Sequence, residues 1–187
     1  MKVIFSLFFI FLYCKQSVAS DLWTIDKNIS SIEFEVPVLF AKNVTGKFNT
    51  FDGFVSLDLS NQNNNKALIN VSIDSLDLNY KRYKDLVLSE IFFDSKNFPF
   101  GLIDTNNFKF NYEDNNIILI GELTIKGKSQ KIPIDIEIIK LANELVQVKS
   151  EISFSRNDFE IGTGNWKNTT ILKDKINIRA NIFLFKE

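Results

Sequence analysis

The feature that most constrains this chain is a two-residue period. In "KIPIDIEIIK", Ile132, Ile134, Ile136 and Ile138 recur at every second position, with Pro133, Asp135 and Glu137 between them. Successive side chains of a strand point to opposite faces, so this pattern is a strand with one buried face. "KINIRANIFLFK" repeats it, with Ile176, Ile178, Ala180, Ile182 and Leu184 on one face and Lys175, Asn177, Arg179 and Asn181 on the other. "SIEFEVPVLF" sets Ile32, Phe34, Val36 and Val38 against Glu33, Glu35 and Pro37. Further strands are expected at Phe51–Leu59, Leu68–Leu76, Phe108–Tyr112, Ile117–Ile125 and Leu145–Phe154. The polar stretches "NQNNNK", "EDNN" and "KGKSQ" are turns between antiparallel neighbours. The expected fold is all-β: a single antiparallel barrel of about eight strands, enough to close around side chains or one small ligand.

One interval breaks the rhythm. "NYKRYKDLVLS" puts Tyr80, Tyr83 and Val87 at helical spacing behind Asn79, which predicts a short capped helix over one opening or edge of the sheet. It leads into "LVLSEIFFDSKNFPFGL", where Phe92, Phe93, Phe98 and Phe100 crowd around Pro99. If that segment is extended, adjacent Phe92 and Phe93 point to opposite faces and only one meets the interior.

The first residues read as a leader. Val3 to Tyr13 is an apolar run, too short for a membrane span, followed by the small residues of "SVAS". A secretory signal peptide over 1–20 and one domain over 21–187 are expected. Cys14 follows the bulky Phe11, Leu12 and Tyr13, unlike a lipoprotein acylation site, and leaves with the leader. Removing Lys2 and Lys15 from the 22 basic residues leaves 20 against 23 acidic, a mature net charge of −3. Such a balance speaks against a nucleic-acid partner. The chain has no histidine and, without Cys14, no cysteine, which excludes disulfides, His- or Cys-based zinc sites and the Ser-His-Asp triad. No calcium-loop pattern occurs, so neither a metal nor another cofactor is expected, and binding should survive chelators.

Fifteen of the 19 phenylalanines follow the leader. For any one ring, core packing is the first reading, but together they point to an apolar tunnel.

The ordered motifs "LWTIDKNISSIEFEV", "VTGKFNTFDGFVSLDL", "VSIDSLDL", "LSEIFFDSKNFP", "GELTIKGKSQKIPIDI" and "FSRNDFEIG" resemble those of the YceI-like polyisoprenoid-binding proteins, from Trp23 to the final strand. The resemblance implies an elongated lipocalin-like barrel, periplasmic, that carries a long isoprenoid such as a polyprenyl quinone or alcohol along its axis. It also implies a carrier or sequestering protein and not an enzyme. On that expectation Phe34, Val36, Phe51, Leu119, Leu123, Ile134 and Ile136 line the tunnel from the strands. Leu86, Leu88, Phe92, Phe93 and Phe98 line it from the helix and the segment after it. Gly46, Gly53, Gly121 and Gly127 mark bends or close backbone approaches. Where the family carries Arg-Asp and His-Leu pairs before the double Phe, this chain has Tyr83, Lys84, Leu86 and Val87, with Arg82 and Asp85 one residue away as substitutes. A weakly polar or differently shaped ligand head is therefore expected. Arg156 and Asp158 of "SRNDFEIG" are expected to hold a strand end, and Trp166 to be a mouth residue or a surface packer. Nothing in the chain decides between a monomer and a homodimer.

Two other readings fit parts of the pattern. A small outer-membrane barrel also combines a leader with eight alternating strands, provided the polar faces turn inward. A carboxylate hydrolase would need a pair such as Glu33 and Glu35, or Asp74 and Asp77.

Overall fold

The computed structural model describes residues 22–57, 65–110 and 116–186. The leader with Cys14, and most of the "NQNNNK" and "EDNN" turns, lie outside the described residues.

Eleven strand segments build one antiparallel sheet: β1 (Leu22–Ile25), β2 (Ser31–Val36), β3 (Val44–Phe48), β4 (Phe51–Ser56), β5 (Lys66–Ser72), β6 (Leu76–Leu78), β7 (Phe100–Asp104), β8 (Asn116–Ile125), β9 (Lys128–Ala142), β10 (Leu145–Ser155) and β11 (Lys175–Lys186). They are eight strands, three of them bent. β1 and β2 pair with successive stretches of β11, Ile25 opposite Leu184 and Phe34 opposite Ile178. β4 and β3 in turn pair with β1 and β2, and β5 and β6 with β4 and β3. The bends fall at Asp26–Ser30, at Asn49–Thr50 and at the 3-10 turn Ile73–Ser75. Because β1 bonds to both β4 and β11, the sheet closes into a barrel with no free edge along that seam.

The alternating isoleucines face inward as their period requires. Ile132, Ile134, Ile136 and Ile138 are buried, while Lys131, Pro133 and Asp135 are exposed. On β11, Ile176, Ile182 and Leu184 are buried, and Lys175 and Arg179 are exposed. The charged rows therefore face outward, which overturns the inverted arrangement that an outer-membrane barrel needs. Among the described residues no helix is long and apolar enough to cross a membrane.

Two expected strands differ. Leu68–Leu76 is not continuous, because the 3-10 turn at Ile73–Ser75 breaks it, with the Ser75 hydroxyl donating to the Ser72 carbonyl at 2.6 Å. The strand after the aromatic segment is Phe100–Asp104, which pairs with β5 and β8, not Phe108–Tyr112. Phe108 makes only an isolated bridge to Asn65, and Tyr112 lies outside the described residues.

The helix is present but short. A 3-10 turn, Lys81–Tyr83, runs into α1 (Lys84–Leu88). Asn79 does not cap it. Its side chain accepts from the Thr45 N–H at 3.2 Å and donates to the Asn43 carbonyl at 3.0 Å, so it ties β6 to the start of β3. β6 pairs with β3 alone, and the chain from Asn79 to Pro99 fills the gap in the wall beside it.

Candidate functional site: an apolar cavity in one half of the barrel

The two ends of the barrel are packed differently. At the end formed by β1, β4 and the far halves of β8 to β11, Trp23, Leu57, Val146 and Leu184 are each at most 1% exposed, and the Trp23 indole N–H donates to the Leu57 carbonyl at 3.1 Å. This end is filled with side chains. The other end is hollow. There a cavity of about 270 Å³ lies between β2, β3, β6, β7, the last residues of β8, the end of β10 and the start of β11.

Its wall is built from the inward positions of those strands. Ile32, Phe34 and Val36 come from β2, Val44 and Phe48 from β3, Leu123 and Ile125 from β8, and Ile176 and Ile178 from β11. Phe34 and Phe48 meet with ring centroids 5.7 Å apart. Phe34 stands opposite Gly46 in the β2–β3 register. A Cβ at Gly46 would sit 2.6 Å from the Phe34 ring and 2.7 Å from the Asp77 carbonyl oxygen, so the close approach requires glycine.

The gap is closed by Tyr80, Tyr83, Leu86 and Val87, and then by Phe92 and Phe93. Ser89 to Pro99 is not extended. It winds through turns in which the Phe92 N–H bonds to the Ser89 carbonyl at 3.0 Å and the Phe93 N–H to the Val87 carbonyl at 3.0 Å, with Asp94 at φ +50°. The turns remove the strand alternation, so both rings reach the cavity and the expected opposition of Phe92 and Phe93 does not hold.

Of the twelve residues expected to line a tunnel, the structure brings Phe34, Val36, Leu86, Phe92, Phe93 and Leu123 together around this cavity. The other six lie elsewhere. Phe51, Leu119, Ile134 and Ile136 are buried in the packed core without reaching the cavity. Leu88 ends the helix, its carbonyl accepting the Ser95 N–H at 3.0 Å. Phe98 packs on the β8–β9 turn, its ring 2.7 Å from where a Cβ at Gly127 would stand. The residues that line this cavity come from one half of the barrel. Of the four positions where the family motif has its Arg-Asp and His-Leu pairs, Tyr83, Leu86 and Val87 stand at the cavity wall, while Lys84 does not line it, nor do Arg82 and Asp85. Arg82 lies over the Tyr83 ring, 4.7 Å from its centroid.

Three lining residues stay exposed and mark the mouth: Tyr83, Trp166 and Ile171. The mouth is held together by backbone bonds. The Leu39 N–H bonds to the Ile171 carbonyl at 2.9 Å, and the Lys173 N–H to the Pro37 carbonyl at 3.0 Å, so the β2–β3 loop and the loop before β11 are tied to each other.

Sequence reasoning underrated Arg156. It is 1% exposed, yet no carboxylate among the described residues bonds to its guanidinium. Nε donates to the Lys173 carbonyl at 3.1 Å, Nη1 to those of Ile161 at 2.9 Å and Gly162 at 3.5 Å, and Nη2 to those of Asn168 and Leu172, both at 3.2 Å. One side chain thus gathers the whole loop from Ile161 to Lys173 that forms the mouth. Burial lowers its pKa from the ordinary value, and the nearby Asp174 opposes that shift. Asp158, expected to share this role, is exposed.

The carboxylate pairs do not form a catalytic site. Glu35 bonds to Arg179 at 3.1 Å and accepts from the Asn43 amide on the outer wall, Glu33 is exposed beside it, and Asp74 and Asp77 are exposed. No acidic residue lines the cavity among the described residues, and no group of three or more His, Cys, Asp or Glu residues is placed to hold a metal ion.

Comparison with known proteins agrees with this architecture. A crystal structure of Burkholderia cenocepacia BcnA superposes with a TM-score of 0.78 at 24% identity, over 85% of this chain and 98% of that one. A polyisoprenoid binding domain from Saccharophagus degradans, implicated in plant cell wall breakdown, superposes with a TM-score of 0.72 at 10% identity, over 90% of this chain and 100% of that one. Among curated sequences, a UPF0312 protein of Pseudomonas aeruginosa is 30% identical over 127 residues, 66% of this chain and 64% of that protein, so the match spans less than two thirds of the relative's length. The family model for the YceI-like domain matches residues 23–184, the hollow and the packed halves of the barrel together, and the chain belongs to that family.

Proposed function

We propose that this chain is an exported, periplasmic, non-enzymatic carrier or sequestering protein that holds the apolar chain of an isoprenoid lipid in the half-barrel cavity. The observation that carries this reading is the chemistry of the wall. Aliphatic and aromatic side chains surround the space, and Arg156, the one charged lining residue among the described residues, has its donors turned to backbone carbonyls. Such a site offers burial and little else, at about 0.8 kcal/mol for each methylene removed from water. The Saccharophagus degradans neighbour, a polyisoprenoid binding domain by description, supports the class of ligand.

The Tyr80 and Tyr83 rings, 6.3 Å apart and edge to face, stand where the head of a ligand would emerge. Two phenols at the cavity wall can hydrogen-bond the oxygen of a quinone or alcohol head. A cavity of about 270 Å³ lies at the lower edge of the roughly 300–1,000 Å³ usual for small-molecule sites. It takes a few isoprene units, and a longer chain leaves through the mouth. Mass spectrometry of organic extracts of the protein purified from its own host tests the reading. A co-purifying polyprenyl lipid is the expected result. Lipid-free preparations that also fail to bind added polyprenyl quinones or alcohols would overturn it.

A further inference from the structure

The segments that border the mouth differ in charge from the rest of the chain. Residues 38–43, 80–88 and 164–173 contain Lys42, Lys81, Arg82, Lys84, Lys167 and Lys173 against a single acidic residue, Asp85. They carry a net +5 in a chain whose total is −1, which leaves −6 for everything else.

The same segments hold apolar side chains out in water. Phe40 is 98% exposed and Ile171 65%, with Trp166 and Tyr83 at 41% and 42%. Phe40 does not line the cavity, and it takes the left-handed conformation at φ +57°, sparsely populated for a bulky residue. The loop that carries it is not loose, since Leu39 and Pro37 are bonded to Ile171 and Lys173 on either side of the mouth. A fixed loop that presents a ring to solvent, at a backbone cost, is built to place that ring against something.

We propose that this rim docks on the surface of an anionic phospholipid bilayer, with Phe40, Trp166 and Ile171 entering the interface and Lys42, Arg82, Lys84 and Lys167 meeting the headgroups. Aromatic and aliphatic tips flanked by Lys and Arg are the chemistry of interfacial binding. The charge asymmetry chooses a bilayer over a protein groove. An anionic surface attracts the rim and repels the acidic body, so the molecule arrives mouth first and the cavity opens directly onto the lipid. The carrier reading supplies the purpose of this docking, but the docking itself is measured without cargo.

The test is sedimentation of the mature protein with vesicles of phosphatidylcholine alone and of phosphatidylcholine mixed with phosphatidylglycerol, with tryptophan emission read in parallel. Trp23 is 1% exposed and Trp166 lies at the rim, so a blue shift reports the mouth. The expected result is binding to the mixed vesicles, weakened roughly tenfold or more by omitting phosphatidylglycerol or by raising salt. Phe40→Ser and the pair Lys42→Glu with Lys167→Glu should each weaken it by a similar factor, with melting temperature and cargo binding unchanged because none of these residues lines the cavity. Absence of binding to either vesicle overturns the proposal, as does binding that ignores phosphatidylglycerol or survives both variants. Failure to bind any isoprenoid, with vesicle binding intact, would sink the carrier reading and leave this one standing.

Discussion

The Phe92 ring meets the Trp166 indole edge to face, with centroids 5.4 Å apart and planes at 60°. This contact joins the turns after the helix to the loop gathered by Arg156, and closes one side of the mouth. Phe92 is 6% exposed and Phe93 only half-buried, though both line the cavity. Phe92→Ala is expected to cost about 3–5 kcal/mol of stability, the usual range for a buried ring, and to weaken ligand binding as well. Phe93→Ala is expected to cost less stability while weakening binding comparably. Urea unfolding and ligand titration of both variants check this. Binding unaffected by Phe93→Ala would show that its ring is not part of the ligand wall.

Much of the barrel is legible in the sequence because alternation is a local property. Ile132 to Ile138 and Ile176 to Leu184 state their buried faces outright. β7 is not legible. "FGLID" is five residues long, follows directly on an aromatic turn segment, and has only one buried member, Gly101, so its strand character comes from β5 and β8 on either side. Phe108 and Phe110 alternate better, yet only a single bridge forms there. The turns that bring Phe92 and Phe93 to one place had a signal in Asp94, Ser95 and Asn97, which the crowd of phenylalanines masked.

The candidate site was half legible for a related reason. Alternation says that Leu119, Leu123, Ile134 and Ile136 all point inward, but not how far along the barrel each one lies. Depth is set by register between distant strands, such as Val146 opposite Leu184 and Phe34 opposite Ile178, and no local pattern encodes it.

Arg156 is expected to be the most sensitive polar residue of the fold. Arg156→Met leaves the buried Ile161 carbonyl and the partly buried carbonyls of Lys173 and Leu172 without their donor, and a buried loss of this kind costs about 1–3 kcal/mol. Arg156→Lys keeps the charge but brings at most three donors without the planar fork, so it should fall between wild type and Met. Denaturant midpoints give the order. A Met variant as stable as the wild type would contradict the role assigned to Arg156.

Gly162 supplies an independent check on the same loop. Its φ is +87°, and a Cβ there would stand 2.7 Å from Arg156 Nη1 and 3.3 Å from the Phe92 ring. Gly162→Ala should therefore destabilise by about 1–3 kcal/mol, the usual size of such strain, and loosen both contacts of the mouth. An unchanged melting temperature together with unchanged Trp166 fluorescence would show that the loop can reshape freely.

Ligand length should matter only up to the capacity of the cavity. Across a series of isoprenoid alcohols, affinity is expected to rise by about 0.8 kcal/mol per buried methylene and then flatten once the chain reaches the mouth. Calorimetric titration measures this. A steady rise out to long polyprenyl chains would mean that the packed half opens to admit them.

The central claim is that ligand occupies the hollow half of the barrel and stops at the packed half, and photo-crosslinking with a diazirine-bearing isoprenoid alcohol tests it most directly. The account predicts labelled peptides that contain Phe34, Val87, Phe92, Leu123 or Trp166. Labels concentrated at Leu119, Ile134 and Ile136, or scattered over the outer wall, would contradict it.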